Sequence, residues 1–274
     1  MGDKAPVGIV GVGLLGSAVA GVLLRAGYEV VGYDVLPEQV ASLTAQGGKR
    51  AGSAAEVARR ASIVFTILPT LPSVEEAIAG PKGVLEGGRT ETTIIQMSTI
   101  SPDLATRMEG VARAQGVGFL DAPVSGTSSM VARRDCVVTV GGERAAFERC
   151  LPVLEALAKQ VFHVGACGMG SHLKLVTNLV MGLNGVVLAE GLTLARRAGL
   201  DLAQTLEILG QGAAASKILE DAQGLHVSLP LTGMMQQLYT AALAGGQGKQ
   251  DLSGIIRLYE ALAGLPPRGA EGAV

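Results

Sequence analysis

The chain has 274 residues, 48% of them apolar, and a formal charge of −2. This is enough for one large or two ordinary domains with a sizeable core. Near-neutral charge gives no field for a polyanion, and 3% aromatic residues with no Trp give no stacking platform, so nucleic acid is not expected as a partner.

The N-terminus leads almost at once into a strand, without the charged and then apolar order of an export signal. Pro6 stands where a myristoylation motif after Gly2 wants Ser or Thr. Cys136, Cys150 and Cys167 lack metal-ligand spacing and read as free thiols in a reducing cytoplasm.

Val7 to Val10 reads as a strand, followed by Gly11-Val12-Gly13-Leu14-Leu15-Gly16 and a helical pattern from Ser17 to Ala26. A G-x-G-x-x-G between strand and helix is a dinucleotide-binding signal. Gly11 permits the tight turn, Gly13 lets a pyrophosphate approach the backbone, and Gly16 lets helix and strand pack closely, while the helix amides bind the anion. The next strand, Glu29 to Tyr33, ends in Asp34, placed to accept hydrogen bonds from the adenosine ribose. Its charge would repel a 2′-phosphate by on the order of 4 kcal/mol at 4 Å in an effective dielectric near 20. No Arg follows in Val35-Leu36-Pro37. NAD is therefore expected over NADP.

Strands and helices continue to alternate. Ser53 caps a helix to Arg60, Ser62 to Leu68 is a strand closed by Pro69, and Pro72 to Ala79 is helical. Thr92 to Met97 is a strand ending in Ser98-Thr99, and Ser101-Pro102 opens a helix to Gln115. Such alternation implies a parallel sheet with its ligand beyond the strand carboxyl ends, so Leu68, Pro69, Ser98 and Thr99 should border the cofactor.

Val117 to Leu120 leads into Asp121-Ala122-Pro123-Val124-Ser125-Gly126-Thr127-Ser128-Ser129, whose amides and hydroxyls suit a carboxylate or form a capped turn. Cys136 to Val140 is a strand, Glu143 to Lys159 an amphipathic helix and Gln160 to Val164 a last strand, with His163 at its end. From Ser171 only helices follow: a run to about Gly199, then Leu202 to Leu209, Leu231 to Ala244 and Leu252 to Ala263. The expected domains are residues 1–164 and 165–274.

The long run opens with Gly168-Met169-Gly170, and Lys174 and Asn178 project from one face of its helix. An ammonium in apolar surroundings has a lowered pKa, as a proton-transferring lysine needs. Lys174, Asn178, Asn184 and Glu190 interrupt the apolar run before the roughly 18 to 20 residues of a membrane span, so it reads as a buried helix, with no membrane partner. His172, His226 and Glu190 read as structural or solvated, not as metal ligands.

Together these motifs resemble the β-hydroxyacid dehydrogenases, which include 3-hydroxyisobutyrate dehydrogenase and tartronate semialdehyde reductase. The resemblance rests on the glycine fingerprint, Asp121 to Gly126, Gly168-Met169-Gly170 with Lys174 and Asn178, and the closing Leu229-Pro230-Leu231-Thr232 and Asp251-Leu252-Ser253. It implies an α/β protein: a Rossmann-type doubly wound parallel sheet domain followed by an all-α domain that serves substrate binding and oligomerisation. It further implies NAD-dependent interconversion of a short 3-hydroxy acid and its 3-oxo acid or semialdehyde, and a homodimer or homotetramer. By resemblance Ser125, Gly126 and Thr127 bind the substrate carboxylate, Lys174 is the general acid or base and Asn178 orients substrate.

The chain departs from that pattern at Thr127, Met130 and Arg134, where the family usually has Gly, and at Thr177, where it often has Asn. Between Gly212 and Leu229 it is too short for the usual closing segment, and Lys217 does not align firmly with that segment's lysine. Imine reductases, which usually lack the lysine, and a dinucleotide-binding or interaction protein without turnover are the alternatives.

Overall fold

The structure, a computed structural model, describes residues 4–212. The helices expected beyond Gly212, the shortened segment, Lys217, His226 and the closing motifs lie outside those residues.

The first unit, Met1–Asn178, opens with β1 (Val7–Val10), α1 (Leu14–Arg25) and β2 (Val30–Tyr33). Then come α2 (Pro37–Ala45), β3 (Lys49–Arg50), α3 (Ala54–Arg60) and β4 (Ile63–Thr66). Next are α4 (Leu71–Ala79), α5 (Val84–Gly87), β5 (Thr93–Gln96), α6 (Pro102–Ala114) and β6 (Gly118–Asp121). The series ends with β7 (Val124–Ser125), α7 (Ser128–Ala132), β8 (Val137–Gly142), α8 (Arg144–Leu157) and β9 (Gln160–Gly165), before α9 (Met169–Arg197).

The expected caps form: Ser53 accepts the Glu56 amide at the start of α3, and Ser101 accepts that of Leu104, with Pro102 opening α6. Four elements were not anticipated. α2 buries only Val40 and Leu43, too little for a helical period to stand out. β3 and β7 have two residues each and α5 four.

Among the described residues the strands form one nine-stranded sheet, in the order β3-β2-β1-β4-β5-β6-β8-β7, with β9 on β8. From β3 to β6 every pairing is parallel. β8 then reverses direction, pairing antiparallel with β6 and β7 and parallel with β9. The sheet is therefore mainly parallel, as expected, with a reversed extension at β8.

Two apolar layers flank the strands. One includes Leu23 of α1, Phe65 of β4, and Leu154 and Leu157 of α8; the other Val57 of α3, Ile78 of α4, Ile94 of β5 and Met108 of α6. Coverage of both faces explains why the central strands read as continuous apolar runs and not as alternation.

The second unit is Leu179–Val274. It takes up the rest of α9, and its described part ends with α10 (Leu202–Gln211), capped by Asp201 on the Gln204 amide. Leu188 and Leu192 pack there with Leu202, Leu206 and Leu209. The expectation of a buried long helix is corrected for the described residues. Val176, Leu179, Val180 and Met181 are each more than half exposed, and burial returns from Leu188 on, at Leu188, Ala189, Glu190, Leu192 and Ala195. By length and composition α9 is also long and apolar enough to cross a membrane, because its polar residues are too few to lower the average of the run.

Candidate functional site

The glycine turn lies at the carboxyl end of β1, where three glycines meet three different steric conditions. Gly11 has φ +91°, and a Cβ there would lie 2.1 Å from the Ile67 carbonyl oxygen. A Cβ on Gly16 would lie 2.0 Å from the Gly11 carbonyl oxygen, so α1 crosses the turn at backbone contact. Gly13 has nothing within 4 Å of that position. Space beside the first amides of α1 is what a pyrophosphate needs, and no protein atom fills it.

Asp34 closes the turn from β2. Its Oδ2 accepts the Val12 amide at 2.8 Å and its Oδ1 the Leu36 amide at 3.0 Å. A carboxylate has about four acceptor positions, so two remain for ribose hydroxyls.

A buried polar chain joins the ends of β4 and β5. The Thr66 hydroxyl and the Ser98 amide both donate to Gln96 Oε1, at 3.0 and 3.1 Å. Ser98 Oγ accepts the Leu68 amide at 2.7 Å, which leaves its own proton free to donate. Sequence reasoning missed Gln96, which is 1% exposed. An amide inside the apolar run Thr92 to Met97 was the available signal.

One cleft of about 810 Å³ unites these groups. Gly11, Gly13, Leu14, Leu15, Gly16, Asp34, Leu68, Pro69, Ser98 and Thr99 all line it, together with Val124, Gly126 and Lys174. Lys174 is half-buried, and its surroundings lower its pKa below the ordinary 10.5 by desolvation. Among the described residues its ammonium forms no ion pair.

Other expected site residues stand apart from the cleft lining. Ser125 is half-buried in β7, and Thr127 is exposed. The Thr127 hydroxyl accepts the Met130 amide at 3.3 Å as the cap of α7 and pairs with Ser129 Oγ at 2.8 Å. Of this triplet only Gly126 reaches the cleft, with φ +148° and a Cβ position 2.9 Å from Cys136 Cβ. Asn178 is half-buried one turn beyond Lys174 and does not line the cleft. Arg134, where Gly is usual in the resembling family, has φ 61° and donates from Nη2 to the Glu155 carbonyl at 2.9 Å. His163 Nε2 lies 2.8 Å from the Gly142 carbonyl oxygen, and its ring packs on Phe147.

An open glycine turn at a helix start, an acid at the end of β2 and a cleft along the strand carboxyl ends define a dinucleotide-binding protein of the Rossmann class. Residues 6–165 match the family model described as the NAD binding domain of 6-phosphogluconate dehydrogenase. Residues 168–222 match the model described as NAD-binding of NADP-dependent 3-hydroxyisobutyrate dehydrogenase. The 2-(hydroxymethyl)glutarate dehydrogenase of Eubacterium barkeri is 32% identical, over 99% of this chain and 100% of that one. The 3-sulfolactaldehyde reductase of Escherichia coli is 28% identical, over 95% and 98%. Among solved structures, Mycobacterium tuberculosis 3-hydroxyisobutyrate dehydrogenase is similar with a TM-score of 0.74 and 27% identity, over 95% of this chain and 94% of that one. The chain belongs to the β-hydroxyacid dehydrogenase family and is an oxidoreductase with a nicotinamide dinucleotide cofactor.

Replacing Asp34 by Ala strands the amide of Val12, which is 0% exposed. An unsatisfied buried donor costs about 1–3 kcal/mol. That cost falls on the free and the bound protein alike and lowers stability; affinity falls because the ribose hydroxyls lose a charged acceptor worth about 1.5–3 kcal/mol, so the dissociation constant for NADH, read by fluorescence titration, should rise by roughly 10- to 150-fold. Unchanged affinity would remove Asp34 from the cofactor site.

Proposed function

We propose that the protein interconverts a short 3-hydroxy acid of the 3-hydroxyisobutyrate kind and its 3-oxo acid or semialdehyde, using NAD in preference to NADP. The observation that carries this reading is a half-buried lysine lining the same cleft as the glycine turn and Asp34. The relatives' names support the substrate class, since each joins a primary alcohol or an aldehyde to an acid group on a short carbon chain.

The bound nicotinamide supplies the hydride chemistry. The chain supplies position and protons. Gly11, Gly13 and Gly16 shape the pyrophosphate cradle, Asp34 holds the ribose, and Ser98, Thr99, Leu68 and Pro69 border the nicotinamide end. Gly126 lines the cleft where the substrate carboxylate binds, Ser125 and Thr127 flank it just outside the lining, and Asn178, one turn beyond Lys174 and also outside the lining, orients the substrate once it is bound. In oxidation the neutral Lys174 amine accepts the hydroxyl proton; in reduction its ammonium donates to the developing alkoxide. Lys174 favours an alcohol or aldehyde over an imine.

The direct test supplies 3-hydroxyisobutyrate and 2-(hydroxymethyl)glutarate with NAD, and short semialdehydes and glyoxylate with NADH. Turnover is expected on at least one of them, with NADPH the poorer reductant. A preference for NADPH would refute the role of Asp34. NADH binding without turnover on any of them would favour a dinucleotide-binding module.

Lys174→Ala should lower kcat by roughly 10²- to 10⁴-fold with NADH binding unchanged. Because the base must be neutral and burial lowers its pKa, the oxidation rate should rise with pH along a limb centred below 10.5. The reduction rate should fall along the same limb, which disappears in the variant. A pH profile identical in wild type and variant would exclude Lys174 as the proton carrier.

We also propose a homodimer or homotetramer. The exposed apolar side chains along α9 support it, since a surface of this kind seeks cover. Light scattering without detergent should give two or four times the 27.8 kDa chain mass. A monomer across micromolar concentrations would exclude it.

A further inference from the structure

α9 begins without a cap of its own. Gly168 precedes it with φ +93° and has no side chain to accept a first-turn amide, although a helix start leaves about four such donors unpaired. A carboxylate distant in sequence does this work. Asp121, 0% exposed at the end of β6, accepts the Gly168 amide on Oδ1 at 3.0 Å and the Ser171 amide on Oδ2 at 2.7 Å.

The surrounding backbone leaves no slack. A Cβ on Gly141 of β8 would lie 2.3 Å from Asp121 Oδ1, and one on Gly170 would lie 2.5 Å from the Asp121 carbonyl oxygen and 2.8 Å from that of Thr139. The first turn of α9 is thus seated on β6 and β8 at backbone contact. Two oxygens of one carboxylate, holding amides three residues apart, fix both the height and the rotation of that turn. Lys174 follows Ser171 by less than one helical turn, so what fixes Ser171 also fixes the direction of the lysine.

Burial raises the Asp121 pKa, opposed by the amides of Ser171 and Gly168 and then by the Ser171 hydroxyl and Cys167 thiol. Ser171 Oγ itself is buried beside this cap without a hydrogen-bond partner among the described residues. The Cys167 thiol is itself pushed above the usual range by burial and then by the Asp121 charge, so it faces the carboxylate protonated. An anion at the start of α9 also complements the helix dipole.

We infer that Asp121 is the positioning residue for Lys174: its carboxylate sets the first turn of α9 on the sheet and thereby aims the lysine into the cleft. The inference rests on the acid–base reading of Lys174. The chain also runs on from β6 through Ala122 and Pro123 to Val124 and Gly126, so one residue ties Lys174 to two further residues of the cleft lining.

The test is Asp121→Asn, which keeps the shape but gives up one acceptor oxygen, assayed with 3-hydroxyisobutyrate and 2-(hydroxymethyl)glutarate in the presence of NAD. A misplaced catalytic group costs up to about 10²-fold in rate. The expected result is a kcat lower by about 10- to 100-fold, with the KM for NAD unchanged and the basic limb moved to higher pH as Lys174 becomes more hydrated. In the Lys174→Ala background the substitution should add little, because both residues act through one group. Competitive labelling with acetic anhydride reads the Lys174 amine directly, without turnover, and should show the same upward move.

A folded Asp121→Asn protein with wild-type kcat and wild-type Lys174 labelling overturns the inference. Turnover that survives Lys174→Ala overturns the acid–base reading instead, while the labelling still reports on Asp121. Gly170→Ala leaves Asp121 in place but displaces the helix start, and should reproduce the labelling change. If neither variant folds, amide exchange in the intact protein decides. Protection of Gly168 and Ser171 together with β6 supports the anchor; exchange as fast as at exposed first-turn amides of α10 overturns it.

Discussion

The approach of α1 to the end of β1 is the constraint on which the site is built. With the Cβ position of Gly16 only 2.0 Å from the Gly11 carbonyl oxygen, any larger residue would lift the helix from the strand. The first amides of α1 would then no longer point into the open space beside Gly13. The Asp34 carboxylate locks the same turn from β2 through the Val12 amide. The backbone groups that face the cleft at this turn therefore have positions set by packing.

Where β4 and β5 end, buried polar side chains hold part of the cleft lining in place. Gln96 gathers Thr66 and Ser98 and leaves the Ser98 hydroxyl accepting from Leu68. Each buried polar atom in that chain has a partner, so the network adds rigidity without the cost of an unpaired group. Lys174 is the contrasting case: an ammonium half-buried without a counter-ion among the described residues, in the condition that shifts a lysine toward its neutral form.

Much of this was legible in the sequence because its causes are local. Glycine spacing, the acid ending β2, the caps at Ser53 and Ser101 and the alternation of apolar runs all precede any tertiary contact. The reversed direction of β8 was not legible, since strand direction is decided by partners far along the chain. α2, with two buried residues, left too faint a period. Gln96 and the anchoring contact of Asp121 were hidden for the same reason as β8: the carboxylate meets its amides 47 and 50 residues away. The exposed stretch of α9 shows the opposite failure, since an apolar sequence reports a need for cover without saying which surface provides it.

Arg134 shows what one backbone angle implies for the stiffness of a turn. A left-handed φ of 61° costs a side-chain-bearing residue about 1–2 kcal/mol, partly offset here by the tether from Nη2 to the Glu155 carbonyl. Glycine at this position would relieve the strain but cut the tether, leaving the turn between α7 and β8 free to sample other shapes. Arginine here therefore means a strained but tethered turn. Because Met130 and Cys136 pack against the Cβ position of Gly126, stiffness of this turn is passed on to a residue of the cleft lining.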